Sequence, residues 1–413
     1  MDSITRRRFL VASGVAGGTA LAAGAGALTW TELKQGAQRN PLPTDAKVLV
    51  IVTLYGGNDG LGTVIPYADS HYHDARPDLA YKPEEVLHLD DSHGLNPSMK
   101  GIAALWKQDR VAIVRGVGYP KPDHSHFRSM DIWQTAAPET PVNTGWIGRW
   151  LDATGDDPLR AIDVGNTLPP MCVGAKATAA SLAAGRDKTV PKDVAAAIDA
   201  LGRVDPTDGV AAAMVCESYR AERTVATSVL PVLQATDTDD ETGEAGAGGA
   251  SAGGQGNLAA QLNVVARCIK AGVPTKVYSV SLGGFDTHAD EKGTQSAQLG
   301  QVDVATSRFL ADMAKDPRGQ GVVVLVYSEF GRRVAANASQ GTDHGTAGPV
   351  FVMGAPVRGG FYGEEPSLTD LDNGDLKGNV DFRTVYAELL HKVLTADPAQ
   401  ILGTAPGKDL GFL

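Results

Sequence analysis

The chain has 413 residues, 43% of them hydrophobic and 21% charged, enough for one large α/β domain or two ordinary ones. Its 48 acidic and 37 basic side chains leave a formal net charge of −11, which repels polyanions and argues against nucleic acid as a partner. Cys172, Cys216 and Cys268 are an odd set without metal-type spacing, so one disulfide with a free thiol and three buried thiols fit equally well.

At the N-terminus, Thr5-Arg6-Arg7-Arg8-Phe9-Leu10 has the form of a twin-arginine export signal. A weakly apolar Ala/Gly-rich stretch and a small-residue Ala25-Gly26-Ala27 cleavage site follow it. Residues 1–27 are therefore expected to be a signal peptide, and the protein to be exported to the periplasm, the cell envelope or the medium. Glycine and alanine dominate residues 15–23 and make a weak membrane span, so membrane contact is expected only through an uncleaved signal. Losing three arginines and one aspartate with the signal leaves the mature chain more acidic still. Twin-arginine export carries folded proteins, which suits a protein that loads a metal before leaving.

Residues 47–55 (KVLVIVTLY) form a nearly continuous apolar, β-branched run, the pattern of a strand covered on both faces. Residues 111–117, 278–282, 322–327 and 350–353 read likewise, and residues 97–108, 210–230, 258–271, 296–314 and 382–394 carry helical patterns. This alternation, with short Gly-rich connections, predicts an α/β fold: a three-layer sandwich in which a mostly parallel sheet has helices on both faces. Residues from about 186 to 271 are Ala-rich and helical, a helical insertion into that plan. Inside it, residues 234–257 turn from acidic to almost pure Gly/Ala/Ser and are expected to be a disordered surface segment. Gly249-Ala250-Ser251-Ala252-Gly253 matches a serine-hydrolase elbow in letters, but it lacks the preceding strand and following helix that such an elbow needs.

Acids, histidines and serines gather at Gly-rich turns, mostly just past predicted strands, and ligands of open α/β sheets bind at the carboxyl ends of strands. In Gly56-Gly57-Asn58-Asp59-Gly60, Asp59 offers a carboxylate to a divalent metal; the same residues also suit a plain turn. In Asp123-His124-Ser125-His126, Ser125 is placed to cap a helix, where backbone N–H groups favour an anion. It reads as a nucleophile or anion contact beside His124 and His126 as ligand or proton shuttle, or as an ordinary cap between two surface imidazoles. Asp286 and His288 follow a strand and a Gly283-Gly284 turn and offer oxygen and nitrogen to one metal. Glu329, directly after a strand, serves a metal or pairs with Arg332 or Arg333. In Gly341-Thr342-Asp343-His344-Gly345, His344 lies between glycines where no regular element would bury it, which favours a site role.

The stretches TRRRFL, LYGGNDGL, SHFRSMDIWQT, GWIGR, FDTH, SEFGRR and GTDHGTA together resemble domain-of-unknown-function family 1501, a family of exported bacterial proteins. The resemblance runs from the signal to about residue 394, interrupted mainly by the Gly/Ala insertion. That family is similar to the alkaline-phosphatase and sulfatase superfamily. The resemblance implies that residues 28–413 are one alkaline-phosphatase-like domain with a metal site at the strand ends. On the superfamily's pattern Asp59 matches the Asp after the first strand, and Ser125 the nucleophile that caps a helix. Asp286 and His288 match an Asp followed by a nearby His, and His344 matches a last His before a Gly-rich segment. The Asp-His pair that usually ends a central strand reads Glu329-Phe330 here, one imidazole fewer. No Cys/Ser-x-Pro-x-Arg stretch occurs, which argues against a formylglycine sulfatase. Family members often occur beside another exported protein, which implies an exported partner.

The expected function is that of an exported, metal-dependent hydrolase of a phosphate or sulfate ester or a related anion, a small ester or an envelope component. Ser125 is the expected nucleophile or anion contact, with His124 and His126 beside it. Asp59, Asp286, His288, Glu329, His344 and Asp343 are the candidate ligands of a divalent metal: zinc, manganese, calcium or magnesium. Arg128, Arg149 or Arg332 is expected to clamp the anion. The alternative is a non-catalytic exported binding or assembly protein that keeps the fold.

Overall fold

A computed structural model describes residues 36–182 and 257–413, apart from 156, 166, 405, 406 and 408. The first predicted strand is present as β1 (Val48–Leu54), buried along its whole length. Val48, Val50, Val52 and Leu54 enter one apolar core while Leu49 and Ile51 enter another, the two-residue alternation of a strand covered on both faces. The strands β2 (Val64–Ile65), β3 (Leu87–His88) and β4 (Gly94–Leu95) make a small antiparallel sheet in the order β2-β4-β3. The main sheet takes in β5 (Val111–Gly118), β6 (Ala161–Asp163), β7 (Ala180–Ser181), β8 (Val277–Leu282), β9 (Val322–Ser328), β10 (Gly348–Met353), β11 (Gly360–Tyr362) and β12 (Val380–Asp381). Its order is β11-β5-β10-β9-β1-β8-β6-β7, with β12 also beside β5.

Every pairing in this sheet is parallel except the two made by β10, which runs antiparallel to both β5 and β9. The sequence did not reveal that reversal, and it matters for the site. The chain enters β10 from the edge at which β1, β8 and β9 end. The segment before β10 therefore lies beside the segments after the other three.

Helices cover both faces, as expected of a three-layer sandwich. In chain order they are α1 (Gly60–Thr63), α2 (Ser70–Ala75), α3 (Lys100–Trp106), α4 (His126–Thr135), α5 (Trp146–Thr154), α6 (Leu258–Lys270), α7 (Glu291–Met313), α8 (Phe382–Lys392) and α9 (Pro398–Leu402). Ile102 of α3, Leu262 and Val265 of α6, and Leu299, Val302 and Phe309 of α7 pack into the first core. Trp133 of α4, Trp146 and Trp150 of α5, and Phe382 and Tyr386 of α8 fill the second. The α7 helix begins five residues before the predicted 296–314, and α5 was not anticipated. Among the described residues no helix is long and apolar enough to cross a membrane. Cys172 and Cys268 are both free and buried. The signal at 1–27, Cys216, the helix at 210–230 and nearly all of the segment 234–257 lie outside the described residues. Of the expected excursion at 186–271, only the part from residue 257 onward, essentially α6, is described.

Asp163, the last residue of β6, lies in register with Ser279 of β8 and is almost fully buried. Burial raises its carboxyl from 3.8 to about 7, with a bond from Ser279 working the other way. A raised acid binds more protons folded than unfolded between those two values. Its contribution to stability therefore falls as pH rises from about 4 to about 7. Asp163→Asn is expected to remove that penalty. Urea midpoints of the variant and the wild type should diverge in the variant's favour across this pH window; a constant difference would contradict it.

Candidate metal centre

The turns after β1 and β8 and the segments 329–333 and 341–346 meet at one edge of the main sheet. Contact is close enough to dictate residue type. Gly56 and Gly57 have φ of +119° and +69°, and a Cβ on Gly57 would lie 2.1 Å from the Phe330 ring. The two later segments pair with each other: Arg333 N–H donates to Asp343 O at 3.0 Å and Gly345 N–H to Gly331 O at 2.9 Å.

Arg332 holds this assembly from within. Its guanidinium, fully buried, donates to the carbonyls of Gly56, Gly57, Phe285 and Thr342 and to Asp286 Oδ1 at 2.7 Å. Burial works against the charge of Asp286, but the bonded Arg332 outweighs it, with help from His344 and His126. The carboxyl is held down at about 2.

Three imidazoles converge on that carboxylate. Asp286 Oδ1 lies 3.0 Å from His288 Nε2, 3.2 Å from His344 Nε2 and 3.4 Å from His126 Nε2. The Nε2 atoms of His288 and His344 are 2.9 Å apart. His126, Asp286 and His344 each present one ligand atom, all within 4.8 Å of one another.

The far side of each ring explains why Nε2 is the free atom. His344 Nδ1 lies 2.7 Å from the carbonyl oxygen of His124, which can only accept, so the proton resides on Nδ1. His126 Nδ1 meets Glu329 Oε1 at 2.9 Å in the same way. A ring whose Nδ1–H is taken by a carbonyl or carboxylate is the usual arrangement of a metal-ligating histidine. His126 Nε2 is moreover buried without a hydrogen-bond partner, and such atoms are costly unless something binds them. The residues therefore fit a divalent metal. Burial lowers the pKa of His344, against the bond to the His124 carbonyl. For His126 burial is outweighed by Glu329 and Asp286, which raise it. Phe330 completes the wall, its ring centroid 4.9 Å from those of His126 and His344.

The structure thus brings together Asp286, His288 and His344, and adds His126, which the sequence placed among the catalytic candidates. Other expected ligands are engaged elsewhere. Both oxygens of Asp59 accept from the buried Arg76 guanidinium, and Asp59 is not among the donors gathered around Asp286. Glu329 is spent on Gly56 N–H, Ser328 Oγ–H and His126, and it orients the imidazole instead of joining the donors. Neither Arg332 nor Arg333 is its partner. Asp343 is exposed, 3.6 Å from His288 Nδ1 on the outer side of that ring. Ser125 occupies the N-cap position of α4 and is exposed, but its hydroxyl makes no capping bond; Asp123 Oδ1 accepts from Ser125 N–H instead. His124 turns its Nε2 to Asp375 Oδ2 at 2.8 Å.

None of the three expected clamps is free. Arg332 is consumed as described, Arg128 pairs with Asp131, and Arg149 donates to the carbonyls of Thr135, Thr144 and Ile401. Arg76 and Asp375 escaped the sequence reading: neither follows a predicted strand, and the Asn373-Gly374 turn that carries Asp375 holds no histidine or serine. The doubled arginine of SEFGRR was the one visible sign of Arg332.

Arg332→Ala would strand the carbonyls of Gly56, Gly57 and Thr342 and remove the guanidinium from Asp286. It is expected to destabilise the fold by about 3–5 kcal/mol, read as a lower urea midpoint. A change below about 1 kcal/mol would show that the loops hold together without it.

Among solved structures, a protein of the alkaline phosphatase superfamily from Vibrio parahaemolyticus aligns over 94% of this chain and 81% of its own, with 9% identity and a TM-score of 0.39. A 2-O GAG sulfatase aligns over 89% and 72%, with 9% identity and a TM-score of 0.37. The alkaline phosphatase of the Antarctic bacterium TAB5 aligns over 86% and 98%, with 12% identity and a TM-score of 0.36. No curated protein matches the sequence. The family described as Protein of unknown function (DUF1501) matches residues 173–412, more than half of the chain, and the chain belongs to that family.

Proposed function

We propose that this protein is an exported hydrolase that uses one divalent metal to cleave a phosphate or sulfate ester or a related anion. The observation that carries the reading is the convergence of imidazole Nε2 atoms on Asp286, with that of His126 buried and without a hydrogen bond. His126, Asp286 and His344 would hold the ion, with His288 beside them. When bound, the ion would polarise the ester and lower the pKa of an attacking hydroxyl.

The chain's own groups supply the rest. Ser125 precedes His126 at the start of the ten-residue α4, which has no acidic side chain in its first turn. An anion there meets unneutralised N–H groups and the positive end of the helix dipole. In this reading the exposed Ser125 hydroxyl would attack or orient the ester. Glu329 and the His124 carbonyl face Nδ1 of His126 and His344, which would leave each Nε2 to a metal. The twin-arginine motif supports export, and an exported protein partner belongs to the same reading.

A second reading, an exported binding or assembly protein, is favoured by two observations. Phe330 presents a phenyl ring to the centre, and the three arginines expected to grip an anion are all engaged. Chelation separates the two: a hydrolase loses its metal and its activity together, whereas a binding module shows neither.

Elemental analysis of the purified protein should find a stoichiometric divalent metal that Asp286→Ala and His344→Ala both lose. Folded wild type that takes up none of zinc, manganese, calcium or magnesium would end the hydrolase reading. Ser125→Ala is expected to abolish turnover and leave metal content intact; undiminished turnover would remove Ser125 from the mechanism.

A further inference from the structure

Two cages of oxygen atoms flank the imidazole centre, and each encloses a guanidinium. The first is built by both carboxylate oxygens of Asp59 and the carbonyls of Val334 and Arg333. Arg76 fills it, with Nε 2.8 Å from Val334 O and one terminal nitrogen 2.9 Å from Asp59 Oδ1 and 2.8 Å from Arg333 O. The second is built by the carbonyls of Gly56, Gly57, Phe285 and Thr342 with Asp286 Oδ1, and Arg332 fills it. Both arginines are about 1% exposed. Carboxylate and carbonyl oxygens are the donors that hard cations such as calcium and magnesium require. Here cations that belong to the chain already occupy the space among those donors.

The neighbouring acid does not offer a vacant charge either. Glu291, at the start of α7, is buried and accepts from Thr342 Oγ1 at 2.7 Å. Burial and then the nearby Asp59 push its pKa up, which favours the protonated form, and its other oxygen is buried without a hydrogen-bond partner. Asp59 is neutralised by Arg76 and Asp286 by Arg332. What remains open is the nitrogen-rich position between His126, His344 and Asp286, with His288 beside it. Imidazole-dominated sites suit zinc and other nitrogen-preferring ions, and suit magnesium or calcium poorly.

We propose that the protein binds a single nitrogen-preferring divalent ion of the zinc type, and that Arg76 and Arg332 act as fixed internal cations that keep calcium and magnesium out of the oxygen cages beside it. The proposal rests on the metal-centre reading above and narrows its choice of four metals. It also makes Asp59 a ligand to a guanidinium in place of a metal.

The test is metal uptake, without reference to activity. Chelator-stripped full-length protein is titrated with zinc, calcium and magnesium chloride, with bound metal counted by elemental analysis and thermal unfolding followed in parallel. One zinc per chain is expected, with no calcium or magnesium retained and no rise in Tm from either. Arg76→Ala, which opens the first cage, is expected to keep its zinc and gain a bound calcium or magnesium that raises Tm. Adding Asp59→Asn to it should remove that second ion. A second ion in the wild type, or stoichiometric calcium or magnesium there, would overturn this proposal alone. Folded Arg76→Ala that admits no further ion would do the same. If that variant does not fold, the wild-type counts decide the matter. A wild type that binds no ion at all would instead bring down the metal-centre reading, and this proposal with it.

Discussion

Arg332 is the residue on which the site depends. Three segments of the chain turn carbonyls inward at one edge of the sheet, and a buried unpaired carbonyl is costly. One guanidinium satisfies the carbonyls of Gly56, Gly57, Phe285 and Thr342 and also neutralises Asp286. Arginine suits this because its fork of donors is planar, rigid and always charged. Asp286 is thereby fixed as a carboxylate, with one oxygen shared between the guanidinium and the imidazoles. The cation that stitches the loops together is also the one that prepares the anion at the centre.

Around it the polar groups are arranged in layers of decreasing exposure. His288 and Asp343 face solvent, His126 and His344 are partly covered, and Glu329, Arg332, Asp59 and Arg76 are buried. Each buried charge has a partner, as burial demands. The two outlying carboxylates do not compete for the centre, because Asp59 is taken by Arg76 and Glu329 by His126, Gly56 and Ser328. Of the carboxylates expected at the centre, Asp286 alone reaches it, and the donor set is dominated by nitrogen. The single antiparallel strand makes this geometry available. Because β10 reverses, His344 can precede its strand and still lie beside residues that follow theirs.

The sheet was largely legible in the sequence because strands buried on both faces carry continuous β-branched runs. The runs at 47–55, 111–117, 278–282, 322–327 and 350–353 all became strands. Short pieces such as β6, β7 and β12 were not legible, since two or three residues hold no periodicity. Neither was the direction of β10, because a strand's own residues do not record the orientation of its neighbours.

The candidate site divides along the same line. Sequence alone determined which residue types stand at the strand ends, because glycine turns and titratable side chains after an apolar run are a local pattern. On that basis Asp286, His288 and His344 could be named. Only the tertiary structure decided which of them face one another. Asp59 and Asp286 read alike in the chain, and each is bonded to a buried arginine, yet imidazoles from three segments gather on Asp286 alone. A carboxylate's partner is set by what the fold brings within about 3 Å, and no local pattern carries that information.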